Sequence, residues 1–168
     1  RGDTPTGRIP RRIPFGVGRC SMSVGRLCSR SVDLVDENET IREAACRMRD
    51  REVGMLVAVD RAGRPVGVVS DRDLAIRAIA ESCDAAAPVR VVMSPTPRTI
   101  AEEAPIESAL SLMTFGAVRR LPVVDRAGKL VGIIALDDVV ALLGEELDQV
   151  RKVLGRQMPC RHAAEDPA

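Results

Sequence analysis

Apolar and polar positions alternate in two rhythms along this chain, and the same succession of rhythms occurs twice. Ser31–Val35 and Arg98–Ile100 each predict a short strand leading into a helix. Ile41, Ala44, Ala45 and Met48 recur at i, i+3, i+4, i+7, as do Ile106, Ala109, Leu110 and Met113. That spacing lines one face of an amphipathic helix. Thr40 followed by Glu43 reads as a capping box, and Pro105 suits the first turn of the second helix. Continuous apolar runs, Met55–Val59 and Leu121–Val124, predict buried strands. After an Asp-Arg-Ala-Gly turn, each pairs as a hairpin with Val66–Val69 or Val131–Ile134. A closing helix follows over Asp71–Ala80 in the first copy. In the second it is longer, with Leu136, Val139, Val140, Leu143, Leu147, Val150 and Leu154 at helical spacing.

The duplication extends to identity. A gapless shift of 65 positions lays Val35–Leu74 over Ile100–Val139 with fourteen identical pairs, Asp60–Gly63 over Asp125–Gly128 among them. Chance would leave about three in forty at ordinary residue frequencies. Each copy, at roughly 60 residues, is marginal as an independent core. The expectation is an α/β (α+β) fold of two strand-helix-strand-strand-helix repeats, packed as a pseudo-twofold pair with a cleft on each side. The boundaries read as a disordered basic tail over 1–23, repeats at 24–82 and 89–157 joined by a linker at 83–88, and a flexible tail at 158–168. Met22, just ahead of the first organised segment, is a candidate start of translation.

Composition narrows the function. Phe15 and Phe115 are the only aromatics in 168 residues, so there is no stacking platform for single-stranded nucleic acid. A net charge of +1 supplies no field to steer nucleic acid or an anionic membrane, although the arginine-rich tail could touch either. No apolar run is long enough to span a bilayer, and no apolar leader opens the chain. Five scattered cysteines without a C-x-x-C pair suit a reducing cytoplasm. Cys46 lies beside the helical stripe and reads as packing. Cys160 and His162 form either half of a zinc site or part of a polar tail, and the tail is the expectation, with no metal. No histidine lies within the repeats, and neither a nucleophile elbow nor a Walker loop is present, so no enzyme is expected.

Arg119-Arg120-Leu121-Pro122-Val123-Val124-Asp125, Gly67-Val68-Val69-Ser70-Asp71-Arg72-Asp73 and Val92-Met93-Ser94-Pro95 resemble the CBS domain. With the duplication, the resemblance covers Val24 to about Leu154. It implies a tandem module that binds AMP, ATP, S-adenosylmethionine or a related adenosine derivative between its repeats. It also implies pairing of modules into a homodimer. In nucleotide-binding members a G-h-h-[ST]-x-x-D segment offers a hydroxyl to phosphate and a carboxylate to ribose. Gly67, Val69, Ser70 and Asp73 stand in that segment here, with Thr96, Arg120, Leu121 and Pro122 as the wall from the other repeat. Ser31, Met55, Val57, Ala135 and Asp138 would form a second, weaker cleft, because Ala135 replaces the hydroxyl.

On their own terms, Ser70 at a strand–helix junction would direct free N–H groups at an anion. Ser70 and Asp73 are equally an ordinary capping pair. Arg119 or Arg120 could meet a phosphate, or form a solvated edge. The expected function is a regulatory sensor that requires no cofactor and signals to a separate, unknown protein partner. The alternative is a structural or protein-interaction module without a ligand.

Overall fold

The computed structural model describes residues 22–157, which leaves most of the basic tail, and Cys160 and His162, outside the described residues. Helix α1 is Val24–Leu27 and α2 is Ile41–Arg51; strands β1 (Met55–Val59) and β2 (Pro65–Ser70) form a hairpin. Helix α3, Asp71–Asp73, runs on as a π-helix over Leu74–Ala80. The second half has β3 (Ser94–Pro95), β4 (Ile100–Ala101), α4 (Ile106–Gly116), β5 (Arg120–Val124), β6 (Leu130–Ala135) and α5 (Leu136–Gln157).

The repeat is reproduced in three dimensions. Asp60 Oδ1 accepts from the amides of Ala62 (2.8 Å) and Arg64 (2.9 Å), and Asp125 Oδ1 accepts from Ala127 and Lys129 at the same distances. Gly63 and Gly128 complete these turns at φ 79° and 78°, where a Cβ would be strained. Both hairpins shift register at equivalent places, Ala58/Val59 and Val123/Val124.

The two sheets run β1-β2-β3 and β4-β5-β6. The strand expected over Ser31–Val35 is reduced to a single parallel bridge, Leu34 to Val57. Immediately after it, Asp36 turns the chain by accepting from the Asn38 amide at 2.8 Å, so pairing stops there. The strand expected over Arg98–Ile100 is the pair Ile100–Ala101, parallel to β5.

The spatial halves cross the repeat boundary. β3, from the lead-in to the second repeat, pairs with β2 of the first, and Ser29 pairs with Ile133 of the second. Val89, Val92 and Met93 are buried in the core of the first half, and Val24 and Cys28 in that of the second. The 83–88 stretch is structural: its Ala87 and Ala85 carbonyls accept from the Ile41 and Arg42 amides, both at 3.0 Å. Met22 does the same for Ile106 at 3.1 Å. With the Thr40–Glu43 capping box, these bonds satisfy the first amides of α2. Each half is therefore closed by a segment borrowed from the other.

Gly67 and Gly132 make this exchange sterically possible. A Cβ on Gly67 would run into the Met93 side chain, and one on Gly132 would lie 2.7 Å from the Ser29 carbonyl. At Gly132 the obstacle is backbone, so only glycine admits the borrowed segment there, whereas at Gly67 the Met93 side chain would have to move aside.

Candidate functional site

The borrowed segments also build the cleft. Where β3 leaves β2, Thr96–Arg98 lines a cavity of about 720 Å³ between the halves. One side is the β2–α3 junction with Ser70, Asp71 and Asp73; the other is the start of β5, Arg119–Pro122. Met55, Val68, Leu121 and Pro122 supply an apolar floor. Thr96 sits at φ 47°, an uncommon conformation for a β-branched residue, while its counterpart Ser31 is not among the positive-φ residues.

At the junction the capping box is complete. The Ser70 hydroxyl donates to Asp73 Oδ2 at 2.6 Å and accepts from the Asp73 amide at 3.2 Å; the Ser70 amide also donates to Oδ2, at 2.9 Å. The Asp71 amide donates to the Gly54 carbonyl (3.2 Å) and the Arg72 amide to Asp71 Oδ1 (2.7 Å). The free N–H groups expected at this helix start are thus already used, because short acidic side chains fold back on them. The Ser70 proton is likewise committed to Asp73. Asp73 lines the cavity, and its second oxygen, Oδ1, is left with Arg77 Nη2 at 3.5 Å.

Positive charge comes from side chains instead. Arg72, Arg77, Arg98, Arg119 and Arg120 line the cavity against Asp71 and Asp73. Arg77 donates to the Val92 carbonyl at 3.0 Å, and Arg98 lies 4.7 Å from the Phe115 ring centroid, a cation–π contact that holds its stem. The Arg120 guanidinium crosses from β5 to within 3.6 Å of where a Cβ on Gly54 would stand. Arg72, Arg119 and Arg120 make no side-chain hydrogen bond or ion pair among the described residues.

The 65-residue shift gives the positions equivalent to this lining in the other repeat. By that shift the counterparts of the five arginines are Asp137, Leu142, Asp33, Gly54 and Met55. No arginine is retained, and two positions become acidic. The duplicated sequence and the fold have counterparts among known proteins. The family model for the CBS domain matches residues 24–79 and again 89–145. The chain belongs to the CBS domain family.

CBS domain-containing protein YhcV of Bacillus subtilis is 38% identical over 117 residues, covering 70% of this chain and 82% of its own. The CBS domain pair of protein MJ0100, solved with 5′-methylthioadenosine and S-adenosyl-L-methionine, is similar with a TM-score of 0.68. It is 25% identical, over 75% of this chain and 98% of that one. CBS domain protein PAE2072 from Pyrobaculum aerophilum, complexed with AMP, gives a TM-score of 0.64 at 33% identity, over 70% and 89% of the two chains.

Within this CBS pair, Ser70, Asp73, Thr96, Arg120, Leu121 and Pro122 do share one cleft. Gly67 and Val69 do not line it; Val69 is fully buried and Gly67 packs against Met93. In a strand, alternate residues face opposite ways, so Val68 takes the cleft side and Val69 the core. Met55, assigned by sequence to the weaker cleft, lines the Asp73 cleft because its register partner is Ser70. Val57 is fully buried. Ser31 is exposed, and Asp138 accepts from the Ala135 amide at 2.9 Å, the capping bond that survives without a hydroxyl. Arg72, Arg77 and Arg98 escape a reading by sequence. Their signal is present only as three arginines whose partners in the other repeat are not basic.

No helix among the described residues is long and apolar enough to cross a membrane.

Proposed function

We propose that this CBS pair is a regulatory module that binds a phosphate-bearing adenine nucleotide in the Asp73 cleft, and binds it there in preference to the Asp138 cleft. The observation that carries the reading is the lining of the cavity: five arginines and a half-engaged carboxylate over an apolar floor. An adenine fits between Met55, Val68, Leu121 and Pro122, ribose hydroxyls donate to Asp73 Oδ1, and the phosphates meet Arg119 and Arg120. Guanidinium groups that have no protein partner suit an oxyanion, which they can grip with two parallel bonds. A sulfonium ligand would meet the same charges unfavourably. MJ0100 and PAE2072, solved with adenosine derivatives, support the class of ligand.

Such a ligand touches both halves and favours one arrangement of them, by no more than its difference in affinity for the two. A dimer or a separate protein would read the result. The free thiols Cys28, Cys46 and Cys83 support a cytoplasmic setting.

Isothermal titration with AMP, ADP, ATP and S-adenosylmethionine tests this. Nucleotides should bind, and S-adenosylmethionine more weakly. Asp73→Ala and the double variant Arg119→Ala/Arg120→Ala should each lower affinity by about 10- to 100-fold, as expected for charge-assisted hydrogen bonds. Asp138→Ala should leave it nearly unchanged. The arginine pair matters because its loss spares the Ser70–Asp73 cap. Absence of nucleotide binding at millimolar concentration would leave a module that works by protein contact alone.

A further inference from the structure

A second cavity, of about 430 Å³, lies between α2 and the π-helix, and Cys46 and Cys83 both line it, with Ile41, Leu74 and Ala78 among its walls. Both thiols are free and half-buried. Packing does not call for cysteine at either place. The 65-residue shift sets Cys46 over Ser111 and Cys83 over Asp148, both exposed. Backbone bonds bring the two cysteines together. The stretch before Pro88 runs antiparallel to the start of α2, with the Ala87 carbonyl bonded to the Ile41 amide and the Ala85 carbonyl to the Arg42 amide. Following both segments in one direction from the Ala85–Arg42 bond, Cys46 comes one helical turn later and Cys83 two residues later. Each displacement is on the order of 5–7 Å, so the two stand abreast. Cys83 is held there by its own amide, which donates to the Ala78 carbonyl at 2.8 Å where the π-helix ends.

We propose that Cys46 and Cys83 form a dithiol site that reacts with low-molecular-weight disulfides and closes to an intramolecular disulfide. One cysteine, as its thiolate, attacks a sulfur of the reagent; the reagent's S–S bond breaks, a mixed disulfide forms and the first thiol leaves. The other cysteine then attacks the mixed disulfide at the protein sulfur. The Cys46–Cys83 bond forms and the second thiol leaves. The pair loses two electrons and two protons, and the reagent gains them as its two thiols. Cys28, buried in the second core, takes no part. The site shares no lining residue with the Asp73 cleft and does not depend on a ligand there. Its closure ties α2 to the end of the helix that begins at Asp71.

Glutathione disulfide, added in excess to the full native chain, tests the site by tryptic peptides mapped without reduction. Peptides 43–47 and 78–90 should appear linked to each other and free of glutathione. Cys46→Ser and Cys83→Ser should each stop at a stable mixed disulfide on the remaining thiol. Closing the loop between the two cysteines should raise the melting temperature by about 5 °C or more over that of the treated Cys46→Ser variant. Dithiothreitol should abolish the gain. Glutathione retained on both cysteines, or linkage that forms only in urea, overturns the pairing. Two thiols that stay unreacted overturn it too, as does a linked chain that melts lower than the treated variant.

Discussion

Ser70 and Asp73 show how one pair of residues holds two readings together. Their mutual bonds form the helix cap, so the cap explains the motif without a ligand; the oxygen left over, Asp73 Oδ1, is the one the proposed nucleotide would engage. The motif is legible in sequence, but the direction of the Ser70 proton is not, since it depends on a fold-back only the folded backbone defines. Charge is legible residue by residue, yet the gathering of five arginines needs three separate segments to meet. Attraction of that kind is screened by salt, so nucleotide affinity should fall measurably between low and high ionic strength. Cys28 provides a check on burial. Desolvation raises its thiol above the ordinary value, and its side chain sits in the second core. Brief alkylation of the native protein should modify Cys46 and Cys83 before Cys28, with mass spectrometry of the peptides as readout.

Helix α2 carries the clearest element-scale signature. The Thr40 and Glu43 pattern predicts its start, and the structure realises the capping box with bonds of 2.8–3.1 Å. Hydrogen bonds from the Thr40 amide, then from its hydroxyl, hold the Glu43 carboxyl below its ordinary 4.5. A carboxyl lowered by folding stabilises the native state above the unfolded value and loses that effect as pH falls through the folded one. The melting temperature of Glu43→Gln should therefore lie below that of the native chain at neutral pH, and the gap should close as pH drops below 4.5. The closing helix of the first repeat is expected over Asp71–Ala80 and is present over the same residues. Its π winding from Leu74 is not foreseen, because the spacing of Leu74, Ala78 and their neighbours suits either coil.

At the scale of the molecule, the two repeats of the sequence are not the two cores. Val24 lies at the head of the first repeat yet is fully buried in the second core, alongside Leu121 and Ile134. Val24→Ala should cost about 2 kcal/mol by loss of buried methyls and the resulting cavity. The damage should appear at a distance in sequence. Amide exchange should accelerate across β5 and β6 more than across β1 and β2, and the reverse distribution would refute the exchange of segments.

Sequence alone determined the duplication, the hairpins and their turns and the helical faces, because these rest on local periodicity and on short-range chemistry such as Asp-Arg-Ala-Gly; the family was legible as a resemblance of whole segments such as Gly67–Asp73. Tertiary structure decided which segment completes which core, which of Met55, Val68 and Val69 faces the cleft, and that five arginines gather at one cleft. Those outcomes follow from long-range pairing and strand register. A gapless shift of 65 residues cannot specify them, because it treats the two copies as alike, whereas the folded chain sets the unlike residues of one against the other.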